Sequence, residues 1–248
     1  MTPDISYRDT EFAVPEDFDA AHTRFWQRLA HTGTWWNASE RIKIAAEGRK
    51  AANCRLCRES RQALSPNTTA GNHDSETDLP DVVIEVIHRV MTDSSRLSQR
   101  WYQSVLDRGL TPEQYVEILG TLVALKSIDS FTQALGLTLH PLPRPQDPDT
   151  QPSHYRPNAV LDDAWVPLIP ADANAGPEAD LWPSGMNAYV IRAMSLVPDE
   201  VRTLNDLGAV HYLPNEKVGD PTVNGRHLSR AQIELVAGRV SALNQCFY

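Results

Sequence analysis

The stretch LTPEQYVEILGTLVALKSIDSFTQALG, residues 110–136, carries the clearest helix signals in the chain. Thr111 and Gln114 fit a capping box, with Pro112 at the first helical position. Gly136 fits a cap at the other end, where a positive φ angle closes many helices. Between Pro112 and Gly136 the stretch contains no proline and a single glycine, Gly120. It therefore predicts one long helix and indicates a helical fold.

Helical patterning extends on both sides of this stretch. A polar loop, residues 67–78, separates two of the helical segments, and nothing along the chain alternates as a strand would. The prediction is therefore an all-α protein. The other helical segments are residues 39–64, 79–93, 95–109, 186–207 and 228–248.

The chain is predicted to have two related helical units. Most of the prolines lie in residues 141–184, which predicts an extended connector, either at a domain boundary or as an arm over a neighbour. We expect an N-terminal unit over 1–140 and a second unit over 185–248. The segments 110–120 and 228–238 share Leu, Thr/Ser, Gln and Gly in register, although capped amphipathic helices also resemble one another.

Composition excludes several classes of function. The net charge of the 248 residues is −9, which disfavours binding to nucleic acid or to anionic membranes. No apolar run approaches the roughly 18 residues that would span a bilayer, and the polar N-terminus is unlike a signal peptide. Three cysteines are too few for a disulfide-built secreted module. We expect a cytoplasmic protein without nucleic-acid or membrane partners.

The pair Cys54 and Cys57 forms a CxxC motif within helix-forming sequence. Asn53 is a good N-cap residue, which would place Cys54 in the first turn, where free amides favour a thiolate. The neighbouring Arg55 and Arg58 favour the thiolate as well. In a reducing compartment the motif predicts a redox pair rather than a structural disulfide.

Two alternatives to the redox pair stay open. The thiols could simply pack in a helix contact. A zinc site would need four ligands: Cys246 is the remaining sulfur, and His88 or His73 would have to complete the set. No second CxxC and no HxxxH is present, so we expect no metal and no other cofactor. On its apolar stretch, His88 is expected to be a satisfied, partly buried histidine.

Cys246 and Glu234 are candidates for a second, incomplete site near the C-terminus. Their spacing of twelve residues corresponds to about 18 Å along one straight helix, too far for proton transfer. A helix break near Asn244 would let the chain return and would make Glu234 a possible base for Cys246.

This tail resembles the signature of the alkylhydroperoxidase (AhpD-like) and carboxymuconolactone decarboxylase superfamily. That signature is a glutamate, about a dozen helical residues, then CxxC and a histidine. The chain stops at Tyr248, one position before the second cysteine would stand, so we expect it to be part of a longer protein. The matching positions are Glu234, Leu235, Val236, Arg239, Val240, Leu243, Asn244 and Cys246.

The N-terminal unit resembles the same superfamily less closely. The family glutamate falls near Glu117, and the first cysteine position is then Asp129, or Ile128 if the capping boxes are aligned. Around the CxxC motif, Ile42 replaces the family glutamate and Arg61 replaces the family histidine. The chain is therefore similar to a two-unit member of the superfamily with imperfect sites.

The resemblance implies helical bundles that assemble into homo-oligomers, and a thiol-dependent peroxidase activity. One cysteine would attack a hydroperoxide, the other would form a disulfide with it, and an external dithiol would reduce the pair. The alternatives are a helical interaction protein that has lost the chemistry, and a thiol-independent decarboxylase-like enzyme. The expected catalytic residues are Cys54, Cys57, Cys246, Glu234 and Glu117.

Overall fold

The computed structural model describes residues 4–173, 175–182, 188–225, 227–244 and 246. Across these residues the chain is helical, and two isolated bridges are the only strand-like pairings, which confirms the all-α class. None of the helices described combines the length and apolarity that crossing a bilayer requires. The helices are α1 Glu16–Ala30, α2 Ala38–Ala51, α3 Arg55–Gln62, α4 Asp81–Asp93, α5 Gln99–Asp107, α6 Pro112–Ala134, α7 Tyr189–Arg192, α8 Pro198–His211, α9 Asn215–Val218 and α10 Arg230–Leu243.

The long helix predicted from residues 110–136 is α6. Its capping box is present: the Thr111 hydroxyl accepts the Gln114 amide at 3.2 Å, and the Gln114 side chain accepts the Thr111 amide at 3.1 Å. Gly136 follows the helix with a φ of 74°, in the left-handed region that glycine adopts without strain. The sequence signals therefore locate both ends of α6.

Helix α2 lies at the centre of the bundle, packed against α1, α4 and α6. Ile44 faces one apolar core and Ala45 faces the other, so this helix separates two cores. Gly48 allows the close approach of α6, because a Cβ atom there would lie 2.6 Å from the Leu122 side chain. Polar side chains on α2 are therefore carried into the interior of the protein.

The proline-rich connector contains no helix over its described residues up to 182 and packs onto the same chain. The Gln146 amide donates to the Ala30 carbonyl at 2.8 Å, and the His154 amide donates to the Thr34 carbonyl at 2.9 Å. Beyond the connector, α8 packs on α1 and α6. The division into two units stays a prediction, and the first residues of the segment predicted from 186 lie outside the described residues.

Candidate functional site

The two cysteines of the CxxC motif lie where the chain turns from α2 into α3. Cys54 is the N-cap of α3, Cys57 is in its first turn, and both are free thiols with 0% and 4% exposure. The prediction of Asn53 as the N-cap is wrong by one residue. The reason is that the Asp74 carboxylate accepts the Arg55 amide at 2.7 Å, which supplies the cap from a distant loop.

Two histidines from other parts of the chain meet this pair. His73, in the loop before α4, places its Nδ1 atom 3.6 Å from Cys54 Sγ and 3.5 Å from Cys57 Sγ. His88, on α4, places its Nδ1 atom 3.2 Å from Cys57 Sγ. One ligand atom from each residue lies within 4.8 Å of all the others. We call these four side chains the dithiol–histidine cluster.

Glu47 of α2 holds the other side of His88. Its Oε1 atom lies 2.8 Å from His88 Nε2, and its Oε2 atom accepts hydrogen bonds from Ser75 at 2.9 Å and Thr77 at 2.7 Å. Burial disfavours the carboxylate, but the hydrogen bonds from His88, Thr77 and Ser75 outweigh it, and the pKa of Glu47 is lowered. Glu47 is therefore a buried, charged acceptor.

The charge on Glu47 fixes the tautomer of His88. A carboxylate only accepts, so His88 Nε2 carries the proton and Nδ1 is the acceptor that faces Cys57. Glu47, His88 and Cys57 thus form a continuous chain of carboxylate, imidazole and thiol. Such a chain can take a proton from sulfur and stabilise the imidazolium that results.

The buried position of Cys57 disfavours ionisation of its thiol. Burial raises the pKa of this thiol to about 12. The arginines do not offset burial, since the Arg55 guanidinium bonds to Glu59 at 3.3 Å and the Arg58 guanidinium bonds to the Asn53 carbonyl at 2.8 Å. A thiolate at Cys57 therefore needs the adjacent imidazole as a base.

His73 is a neutral imidazole at rest. Burial, followed by the neighbouring His88, lowers the pKa of His73 to about 4. His73 also lines a cavity of about 750 Å³, together with Leu56, Ser75 and Arg89. The cluster is therefore buried, and the His73 side chain lies between its thiols and the cavity. A displacement of His73 would open a path for small molecules to the thiols.

Glu117, the candidate on α6, belongs to a second buried cluster. Its Oε1 atom lies 2.5 Å from the Arg41 guanidinium, and its Oε2 atom accepts the Trp35 amide at 2.6 Å. Glu200 of α8 lies 3.6 Å from the same guanidinium. We call Arg41, Glu117 and Glu200 the buried ion cluster. Burial and the adjacent Glu200 raise the pKa of Glu117 to about 7, against the opposing effect of Arg41.

Two glycines make room for the buried ion cluster. A Cβ atom at Gly33 would overlap the side chains of Glu117 and Arg41, and one at Gly120 would overlap the side chain of Glu200. A cavity of about 180 Å³ reaches Arg41 and Glu200 from the surface. The backbone therefore leaves room for this cluster, and the cavity connects the cluster to the surface.

Of the two candidates near the C-terminus, Glu234 is held by two neighbouring side chains. Glu234 accepts hydrogen bonds from Arg230, at 2.5 Å, and from the Tyr212 hydroxyl, which lower its pKa. Helix α10 ends at Leu243, near the predicted break, and the return of the chain toward Glu234 stays a prediction. About 14 Å of helical rise separates Glu234 from Leu243, and Cys246 lies beyond that end. Gln245, Phe247 and Tyr248, the neighbours of Cys246 in the sequence, lie outside the described residues.

Sequence reasoning missed Glu47 as a site residue. The position of the family glutamate falls at Ile42, whereas the carboxylate of Glu47 is five residues, or about 1.4 turns, further along the same helix. His73 and His88 were considered separately, as alternative zinc ligands, because they belong to different elements. The position of Glu47, on the helix that leads directly into the CxxC motif, is the one signal that could have revealed it.

The fold and the cluster define a helical protein with a buried site of two thiols, two imidazoles and one carboxylate. No protein-family model matches the chain, and neither the curated proteins nor the solved structures gave a significant match. Its function therefore has to be argued from its own geometry.

Proposed function

We propose that this protein is a thiol-dependent peroxidase that reduces hydroperoxides through the Cys54–Cys57 pair. The observation that carries the proposal is the chain from Glu47 through His88 to Cys57, with contacts of 2.8 Å and 3.2 Å. A nucleophile beside a base that is itself oriented by a carboxylate is the arrangement that activates a thiol. The second thiol is held within 4.8 Å, close enough to capture the oxidised sulfur.

In the proposed reaction, Cys57 attacks the hydroperoxide. The Cys57 proton passes to His88 Nδ1, a sulfur–oxygen bond forms, the oxygen–oxygen bond breaks, and the alcohol leaves with a proton from the imidazolium. Cys54 then loses its proton and displaces hydroxide from the sulfenic acid, which gives a disulfide and water. An external dithiol transfers two electrons to the disulfide and closes the cycle.

The assignment of roles rests on which thiol meets the base. Cys57 Sγ lies 3.2 Å from the imidazole that Glu47 orients, whereas Cys54 Sγ accepts the Asp74 amide at 3.4 Å. Forming the disulfide requires the sulfurs to close to about 2.05 Å, a short movement at a helix N-terminus. This geometry supports Cys57 as the attacking thiol and Cys54 as the resolving thiol.

Steady-state turnover of an organic hydroperoxide with dithiothreitol tests the proposal. The chain should consume hydroperoxide catalytically, and Cys57→Ser should reduce the rate to that of the free dithiol. His88→Gln should slow turnover by about 100-fold, the usual contribution of a general base. The matched control is His31→Gln, an exposed histidine that should retain the wild-type rate. Equal rates for wild type and Cys57→Ser would contradict the proposal.

A second candidate function is an acid–base reaction that uses no thiol. It is favoured by Glu117, a buried carboxyl group with a pKa raised to about 7 by burial, at a cluster that a cavity of about 180 Å³ reaches. Decarboxylases of the superfamily that the sequence resembles act in this way. Such an activity should survive the Cys54→Ser/Cys57→Ser substitution and be lost in Glu117→Gln.

A further inference from the structure

We infer that the reduced chain binds one Zn²⁺ ion between Cys54, Cys57, His73 and His88. The inference goes beyond the proposed peroxidase activity and does not depend on it, because it rests on the positions of four ligand atoms. Two sulfurs and two imidazole nitrogens are a ligand set typical of structural zinc sites.

The distances between the ligand atoms fit a tetrahedral zinc ion. Zinc–sulfur bonds of about 2.3 Å and zinc–nitrogen bonds of about 2.0–2.1 Å require sulfur–nitrogen separations of about 3.5 Å. His73 Nδ1 lies 3.6 Å from Cys54 Sγ and 3.5 Å from Cys57 Sγ, and His88 Nδ1 lies 3.2 Å from Cys57 Sγ. Only small side-chain movements are needed to close the tetrahedron.

The surroundings orient these ligands as zinc sites require. Glu47 accepts the Nε2 proton of His88, so the Nδ1 lone pair is directed at the centre of the cluster. The Asp74 amide points at Cys54 Sγ from 3.4 Å, which fixes the position of this sulfur. These contacts hold one imidazole and one sulfur before any ion arrives.

The chemistry of the cluster selects the ion. Thiolate and imidazole favour zinc over magnesium or calcium, which prefer oxygen ligands. Two thiolates would balance the double charge of Zn²⁺, so a buried site would carry no net charge. Four ligands from the protein leave no open position, which is typical of a structural rather than a catalytic zinc. The ion would fasten the loop that carries His73 to α3 and α4.

Zinc and a disulfide cannot occupy the cluster together. Oxidation by a hydroperoxide would take two electrons from the two thiolates and consume two protons. The products are the Cys54–Cys57 disulfide, an alcohol, water and free Zn²⁺. Zinc would therefore protect the thiols, and oxidation would release it.

Zinc titration of the reduced, metal-free full chain under argon tests the inference, with a chromophoric chelator as competitor. We expect one equivalent of zinc per chain and a rise in melting temperature on binding. His73→Gln should weaken zinc binding by more than about 100-fold, beyond what loss of an orienting contact costs. Cobalt in place of zinc should show the visible absorption of a tetrahedral site in the wild type.

Three controls keep the test decisive if a variant is unstable. His73→Cys supplies a new thiolate ligand and should restore the binding that His73→Gln loses. His31→Gln and Cys246→Ser lie outside the cluster and should bind zinc like the wild type. Binding of less than about 0.2 equivalents, or equal affinity in wild type and His73→Gln, would overturn the site. Neither result bears on peroxide turnover, which is measured on metal-free protein.

Discussion

Two buried polar clusters contact the same helix, α2, and differ in how they hold charge. Arg41 and Glu47 are six residues apart on α2, about 9 Å along its axis. In the buried ion cluster, Arg41 is a permanent cation that faces two carboxyl groups. In the dithiol–histidine cluster, which Glu47 contacts, burial keeps Cys57 and His73 neutral at rest, and charge forms on Cys57 only when His88 takes its proton.

Whether the groups are charged in the resting state determines what each cluster can do. Charges that are paired in the resting state stabilise the fold and are costly to remove singly. A neutral thiol beside an imidazole base is instead suited to reactivity, because the thiolate forms only when a substrate arrives. We therefore expect substitutions in the first cluster to act mainly on stability, and substitutions in the second to act mainly on reactivity.

Removing the cation of the buried ion cluster should have the largest effect. Arg41→Met leaves Glu117 and Glu200 buried without their shared partner, and the free energy of unfolding should fall by about 3–5 kcal/mol. Urea denaturation measures it, with Arg55→Met, an exposed arginine, expected within about 0.5 kcal/mol of wild type. Arg41→Lys keeps a charge and should lose less than Arg41→Met. A wild-type free energy for Arg41→Met would contradict the account.

The second prediction concerns the pH dependence of stability. Burial raises the pKa of Glu117 from 4.5 to about 7, so the folded state retains a proton that the unfolded chain releases. The stability that this proton supplies is complete below about pH 4.5 and is lost as the pH rises through 7. It amounts to about 3 kcal/mol at most.

Comparison of wild type with Glu117→Gln isolates this contribution. Unfolding free energies measured between pH 4.5 and 8 should fall more steeply with pH in the wild type than in the variant. Parallel curves for the two proteins would show that Glu117 keeps an ordinary pKa. Glu117 would then lose its proton near pH 4.5 in the folded state as well as in the unfolded chain.

The third and smallest effect should appear in the dithiol–histidine cluster. Glu47→Gln keeps the shape of the side chain but removes the charge that stabilises protonated His88. The second-order rate of thiol oxidation by hydroperoxide should fall by about 10- to 100-fold. The matched control is Glu76→Gln, an exposed carboxylate on the same side of the protein, which should react at the wild-type rate. An unchanged rate in Glu47→Gln would remove the carboxylate from the mechanism.

Local signals in the sequence predicted the helices well. The capping boxes at Thr111 and Ser229 are both present, and the all-α class follows from them and from the missing alternation. The same signals could not say how helices pack. Helix α6 is buried along most of its length, whereas α10 has no buried residue among those described, although both carry the same cap. Apolar residues such as Leu235 and Val236 are exposed on α10, and the expectation of a homo-oligomer stays a prediction.

The candidate site was predicted only in part, because it is assembled from distant segments. The spacing of Cys54 and Cys57 is local and could be read directly. His73 and His88 meet these thiols through the path of a loop and the packing of α4 on α2, which no spacing rule encodes. The raised pKa of Cys57 was missed for the same reason: its main cause is burial, whereas the nearby arginines are visible in the sequence.

The proposal that Cys54 and Cys57 are a redox pair is tested most directly by disulfide formation after a single addition of peroxide. The reduced, metal-free chain is treated with one equivalent of hydroperoxide, the remaining thiols are alkylated, and the protein is digested with trypsin. Cleavage after Lys50, Arg55 and Arg58 places Cys54 and Cys57 in separate peptides. We predict a linked pair, 51–55 with 56–58, two hydrogens lighter than the two peptides together. Recovery of both peptides as alkylated thiols would contradict the account.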